Sequence, residues 1–160
     1  MPTIGITGHA RLSDESATLI KEALREALRD HDAIHGVTCL AEGADQLFAE
    51  AILDAGGTFE VVLPAHDYRD AMIPADNRPT FDKLLARASS VSYMPFSESN
   101  RKAFLAAGEE LVRRSHQIIA VWDGVPAADV GGTAQVVDVA RAAGLPVQVI
   151  WPQGARRNAA

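Results

Sequence analysis

A parallel β-sheet with helices packed on both of its faces is the architecture this sequence predicts. Three observations lead there. Short apolar runs rich in β-branched residues alternate along the chain with segments whose apolar residues recur every three or four positions. The runs are nearly continuous in apolar content, as strands covered on both faces must be. One helical segment stands between each strand and the next in most of the chain, which is the rhythm of right-handed strand–helix–strand crossovers. The expected fold is therefore a single α/β, Rossmann-like doubly wound domain, with a mostly parallel sheet of about six strands.

The elements follow in order. Strands are expected at 3–7, 36–41, 59–64, 90–94, 117–122 and 147–151. The first helix opens after Ser13-Asp14-Glu15, a hydroxyl N-cap with acids in the first turn, and carries Ile20, Leu24 and Leu28 on one face. The second, with Ala44, Leu47, Phe48, Ala51 and Ile52, stops at Gly56-Gly57. A third shows Phe81, Leu84, Leu85 and Ala88, and a fourth, after Ser99, shows Phe104, Leu105, Leu111 and Val112. The last begins at Thr133, carries Val136, Val137 and Ala140, and ends at Gly144 with Pro146 beyond. Residues 66–78, with two prolines and many charges, read as a surface loop or lid, and His31 and His35 as surface residues over a turn.

Composition bounds the function. The chain has 160 residues, enough for one domain with a real core, expected over residues 1–153, with 154–160 as a short flexible tail. Its 48% apolar and 22% charged content is that of an ordinary globular protein. No apolar run is long enough to cross a membrane, the N-terminus reads as a strand without a secretory leader, and the single Cys39 in an apolar run fits a reducing cytoplasm. A net charge of −6 argues against nucleic acid as a partner, because phosphate backbones are held by clustered Lys and Arg.

In a doubly wound sheet, ligands bind where the strand-to-helix loops open at the carboxyl edge. Three such loops are marked by glycine. After the predicted strand 117–122, Gly131-Gly132-Thr133 falls at a helix start, where backbone N–H groups lack intrahelical partners and the dipole is positive. Without Cβ atoms a phosphate can approach closely, and Thr133 adds a hydroxyl; a turn with an N-cap is the competing explanation. The second loop places Gly43 before a helix, with Glu42 and Asp45 as carboxylates for ribose hydroxyls or, for Asp45, as plain helix capping. In the first loop Gly8 permits a tight exit, and His9 and Arg11 are donors for phosphate or a base edge, although a histidine beside a glycine is more often structural. The sequence lacks G-x-G-x-x-G, the Gly-Lys-Ser/Thr phosphate loop, the Gly-x-Ser-x-Gly elbow and any His/Cys/Asp spacing suited to a metal. No metal or cofactor is expected.

The segments "ITGHARL", "CLAEGADQLFAEAIL", "FEVVLPAHDYRD" and "IIAVWDGVPAADVGGTAQVVDVARAAGLPVQVIWP" together resemble the SLOG superfamily, the Rossmann-like group that unites DprA/Smf proteins with the Lonely Guy enzymes. The resemblance runs over residues 3–152. It implies a nucleotide-derived ligand with its phosphate on Gly131-Gly132-Thr133, and a homodimer. Lonely Guy enzymes cleave the N-glycosidic bond of nucleoside monophosphates and use Pro-Gly-Gly-x-Gly-Thr-x-x-Glu. This chain holds Val136 at the glutamate position, so glycosidic cleavage would need another acid: Glu42, Asp45, Asp123 or Glu109. The arginine that follows Gly-His in the most similar branch is Ala10 here, with Arg11 one position on. A binding or sensor module is the leading expectation, a nucleoside 5′-monophosphate phosphoribohydrolase the alternative, and whether the chain is an enzyme stays open. A single-stranded DNA handler fits least, given the acidic balance and 6% aromatic content.

Overall fold

The structure, a computed structural model, describes residues 2–125 and 132–156. Its elements run β1 (Thr3–Gly8), α1 (Asp14–Leu28), β2 (His35–Thr38), α2 (Ala44–Asp54), β3 (Thr58–Leu63), α3 (Tyr68–Met72), α4 (Arg78–Leu85), β4 (Ser90–Tyr93), α5 (Arg101–Arg114), β5 (Gln117–Val121), α6 (Thr133–Ala142) and β6 (Val147–Ile150). The strands form one sheet in the order β4-β3-β2-β1-β5-β6, with every pairing parallel. The α/β doubly wound expectation is the fold the chain has.

The apolar alternation divides the core in two. Ile4 and Ile6 of β1 pack with Ile20 and Leu24 of α1, Phe48 and Ile52 of α2 and Phe81 of α4. On the opposite face, Val37, Val62 and Ile118 meet Leu111 and Val112 of α5 and Val136 and Ala140 of α6. Each large side chain so buried contributes about 1.5–3 kcal/mol of transfer free energy, which is what holds helices on both faces. Local signals set the helix starts. The Ser13 side chain accepts from Ser16 N–H at 3.1 Å, and Asn100 caps α5 by accepting from Ala103 N–H at 2.9 Å.

Four expectations need correction. Strand β2 ends at Thr38 rather than residue 41, because the Thr38 hydroxyl accepts from Leu40 N–H at 3.0 Å and Leu40 turns left-handed (φ 55°). His35 lies in β2 rather than over a turn, with its ring 2.8 Å from Thr58 Oγ1 and 2.6 Å from Glu60 Oε2. Residues 66–78 are not a detached loop: Tyr68 and Ile73 are buried anchors, α3 forms between them, and Asp67 accepts from both Ser99 N–H (2.8 Å) and Ser99 O–H (2.7 Å). At the other end of the chain, Arg156 is tied to α1 through Ser16, donating its N–H to Oγ at 2.9 Å and accepting from it at 3.0 Å, so 154–156 do not trail away.

Candidate functional site

The chain builds β1 to β4 on one side of the sheet, then crosses to add β5 and β6 on the other. The loops leaving β1 and β5 therefore diverge, and a crevice opens between them at the carboxyl edge. A cleft of about 570 Å³ lies there. Its lining includes Thr7, Gly8, His9, Ala10 and Arg11 from the end of β1, Cys39, Ala41, Glu42 and Asp45 around the start of α2, and Gly132 and Thr133 at the start of α6. The volume falls in the range of small-molecule sites.

Close packing of backbone shapes the floor. A Cβ on Gly8 would come within 2.5 Å of Ala44 Cβ and 2.9 Å of Val121 Cβ, so only glycine lets β1, β5 and α2 converge here. Gly43 has φ 108°, and a Cβ there would stand 2.6 Å from the His9 carbonyl oxygen. That carbonyl accepts from Ala44 N–H at 3.2 Å. The α2 start is thus committed in part to holding the β1 loop. At α6 the situation differs: Gly132 is the N-cap, and no side chain caps the helix among the described residues. Gly131 lies outside the described residues.

The predicted side chains divide into distinct groups. Arg11 is exposed on the rim, in the left-handed region at φ 56°. For a non-glycine residue that conformation costs about 1–3 kcal/mol, which the surrounding loop must sustain. His9 is buried, its N–H donating to Val121 O at 3.1 Å; its Nε2 accepts from Asp123 N–H and faces Asp123 Oδ1, both at 3.3 Å. Its ring also meets Trp151 edge-on at 5.5 Å. The histidine thereby fastens the β1 loop to the end of β5. Asp123 contacts the His9 ring and is not among the lining residues, and Glu109 is exposed on α5, outside the lining.

Asp45 is the buried acid of the site, 7% exposed. Its Oδ2 accepts from Ala41 N–H at 3.2 Å, which ties down the loop instead of capping its own helix. Burial pushes its carboxyl up to about 7, and the Ala41 hydrogen bond only partly offsets that. The neighbouring Cys39 thiol and Tyr68 phenol are also pushed up, both first by burial; the Asp45 carboxyl comes next for Cys39, and Cys39 and then the carboxyl for Tyr68. Cys39 therefore faces the cleft as a neutral thiol and is no nucleophile at neutral pH.

Sequence reasoning missed the apolar wall. Tyr68, Met72, Ile73 and Pro74 reach the cleft from α3 and the turn after it, and Phe104, Ala107, Gly108 and Leu111 from α5. Nothing local in the α5 sequence marks a ligand face, since its cleft-facing residues share one apolar stripe with its core residues. Val136, at the position of the motif glutamate, is 9% exposed and lines this wall. A Cβ on Gly108 would stand 3.1 Å from its Cγ2. Among the described residues there is no group of three or more His, Cys, Asp or Glu able to hold a metal ion, and no helix is long and apolar enough to cross a membrane.

No protein-family model and no curated protein matches the sequence. Solved structures do. DNA processing protein A (DprA) from Streptococcus pneumoniae is similar with a TM-score of 0.70 at 18% identity over 96% of this chain, which spans only 52% of that protein. DprA from Helicobacter pylori, described for its single-stranded DNA binding mode, is similar with a TM-score of 0.66 at 18% identity, over 98% of this chain and 68% of that one. A molybdenum cofactor binding protein from the phototrophic bacterium Rippkaea orientalis gives 0.61 at 14% identity, over 95% and 77%. The chain thus has the Rossmann-like fold that DprA and the molybdenum cofactor binding protein share, the one expected from its alternation of apolar runs and helical segments.

Proposed function

We propose that the chain binds a nucleotide or nucleotide-derived anion in the carboxyl-edge cleft, as a binding or sensor module. The observation that carries this reading is the convergence of two anion-seeking features on one cleft at the switch point: the start of α6 at Gly132-Thr133, where no side chain among the described residues caps the helix, and Arg11 held in a strained conformation on the facing loop. The phosphate sits at the α6 start, on backbone N–H groups and the Thr133 hydroxyl, with Arg11 closing over it. Gly8, His9 and Gly43 shape and fasten the loops, and Asp45 borders the remainder of the ligand.

Turnover is the weaker reading. Cleaving a glycosidic bond asks for a carboxylate beside the sugar, and the α6 wall offers Val136 packed near Gly108 instead. Glu42 and Asp45 remain as acids in the lining. A molybdenum cofactor binding protein among the structural neighbours also supports retention of a small molecule on this fold. Thermal denaturation against nucleoside mono-, di- and triphosphates tests the proposal: a ligand at a hundred times its Kd stabilises by about 2.7 kcal/mol. The response should be lost in Thr133→Ala/Arg11→Ala. A flat response to every phosphate-bearing compound defeats it. Chromatography of the same mixtures for free base separates binding from hydrolysis.

A further inference from the structure

We propose that the Oδ1 oxygen of Asp45 hydrogen-bonds the ring edge of the bound molecule and so selects which heterocycle the cleft accepts. This rests on the nucleotide reading above and extends it from the phosphate to the ring. Three observations combine. Asp45 is 7% exposed and lines the cleft, and its Oδ2 is taken by Ala41 N–H at 3.2 Å. Oδ1 has no protein partner among the described residues, yet no fully buried side-chain oxygen or nitrogen there lacks one. Oδ1 is therefore the part of the carboxyl that still opens, and the space it opens to is the cleft.

The surroundings decide what it meets. The titratable groups packed nearest are Cys39 at the exit of β2 and Tyr68 of α3, both held neutral; His9, Arg11 and Glu42 line the same cleft. Among the described residues no Lys or Arg pairs with the carboxyl, and burial raises it to about 7. Near neutral pH a substantial share of molecules carry Asp45 as an acid whose O–H donates, and the rest accept. The rest of the lining includes Met72, Ile73, Phe104, Ala107 and Leu111, surfaces suited to the faces of a flat ring rather than to a sugar. A ring nitrogen or carbonyl is the acceptor that such a donor, set among apolar walls, would reward.

Calorimetric titration with adenosine, guanosine, cytidine and uridine 5′-monophosphates, and with ribose 5-phosphate as the ring-free probe, tests this on the wild type, Asp45→Asn and Asp45→Leu. At least one nucleotide should bind about tenfold tighter than ribose 5-phosphate, the worth of one good hydrogen bond. In Asp45→Leu that advantage should vanish while ribose 5-phosphate affinity stays within about twofold. Asp45→Asn, which keeps the shape and lacks the titration, should hold its ring advantage constant between pH 6 and 8, whereas the wild type's should change. An advantage untouched in Asp45→Leu overturns the inference, and so does a parallel loss for ribose 5-phosphate, which would put the carboxyl on the sugar. If ribose 5-phosphate binds and no nucleotide binds better, this inference alone falls; if none of the five probes binds, the nucleotide reading falls and takes it along.

Discussion

Replacing Asp45 with asparagine removes a charge from the floor of the cleft while preserving its shape and its bond to Ala41 N–H. In the folded chain the carboxyl is raised from an ordinary 3.8 to about 7, with burial as the main cause. A raised carboxyl binds its proton more tightly in the folded state, so its contribution is fully present below pH 4 and is lost as pH climbs through 7. At about 1.36 kcal/mol per pH unit, the whole window is worth about 4 kcal/mol, of which about 2.5 kcal/mol falls between pH 5 and 8. Asparagine does not titrate and has no such loss. Urea denaturation of both proteins at pH 5, 6, 7 and 8 reads the effect in the difference between them, where all other titrating groups cancel. Asp45→Asn should gain about 2.5 kcal/mol on the wild type over that range, equivalent to roughly 5–10 °C in Tm for a chain of this size. A difference that stays constant from pH 5 to 8 refutes the reasoning, because it would mean that the carboxyl ionises as freely in the fold as in the unfolded chain.

Other substitutions probe the same loops. Arg11→Gly should raise stability by about 1 kcal/mol by relieving the left-handed conformation, yet weaken nucleotide binding; stability unchanged by the substitution would show that the loop is not strained. Gly43→Ala should lower stability by about 2 kcal/mol or more, since its φ of 108° disfavours any side chain and a Cβ would meet the His9 carbonyl at 2.6 Å; a Tm within 1–2 °C of wild type would contradict that packing. Glu60 is raised by burial, but hydrogen bonds from His35 and Arg114 outweigh this and leave its carboxyl below the usual value. A lowered carboxyl stabilises above its unfolded pKa and loses that contribution as pH falls through the folded one. Glu60→Gln should therefore destabilise at pH 7 and approach wild type in denaturation at pH 3; a penalty equal at both pH values would remove the ion pair as the cause.

Much of the fold was legible in the amino-acid order alone. Helix periodicity, the Ser13 cap, the Gly56-Gly57 stop and the start of α6 at Thr133 are interactions among residues a few positions apart, so local pattern is sufficient to specify them. That the strand-to-helix loops open at one sheet edge follows from the parallel direction of the strands. Tertiary structure decided the rest. Strand order set β5 beside β1, and so brought His9 to Asp123 across 114 positions. Packing turned residues 66–78 into a cleft wall through Tyr68 and Ile73, whose spacing shows no period. The state of Asp45 is the sharpest case: in sequence it is one more acid in a helix's first turn. Its raised pKa and open oxygen exist only because distant chain segments exclude water around it, and desolvation is a property of the assembled neighbourhood, never of the residue.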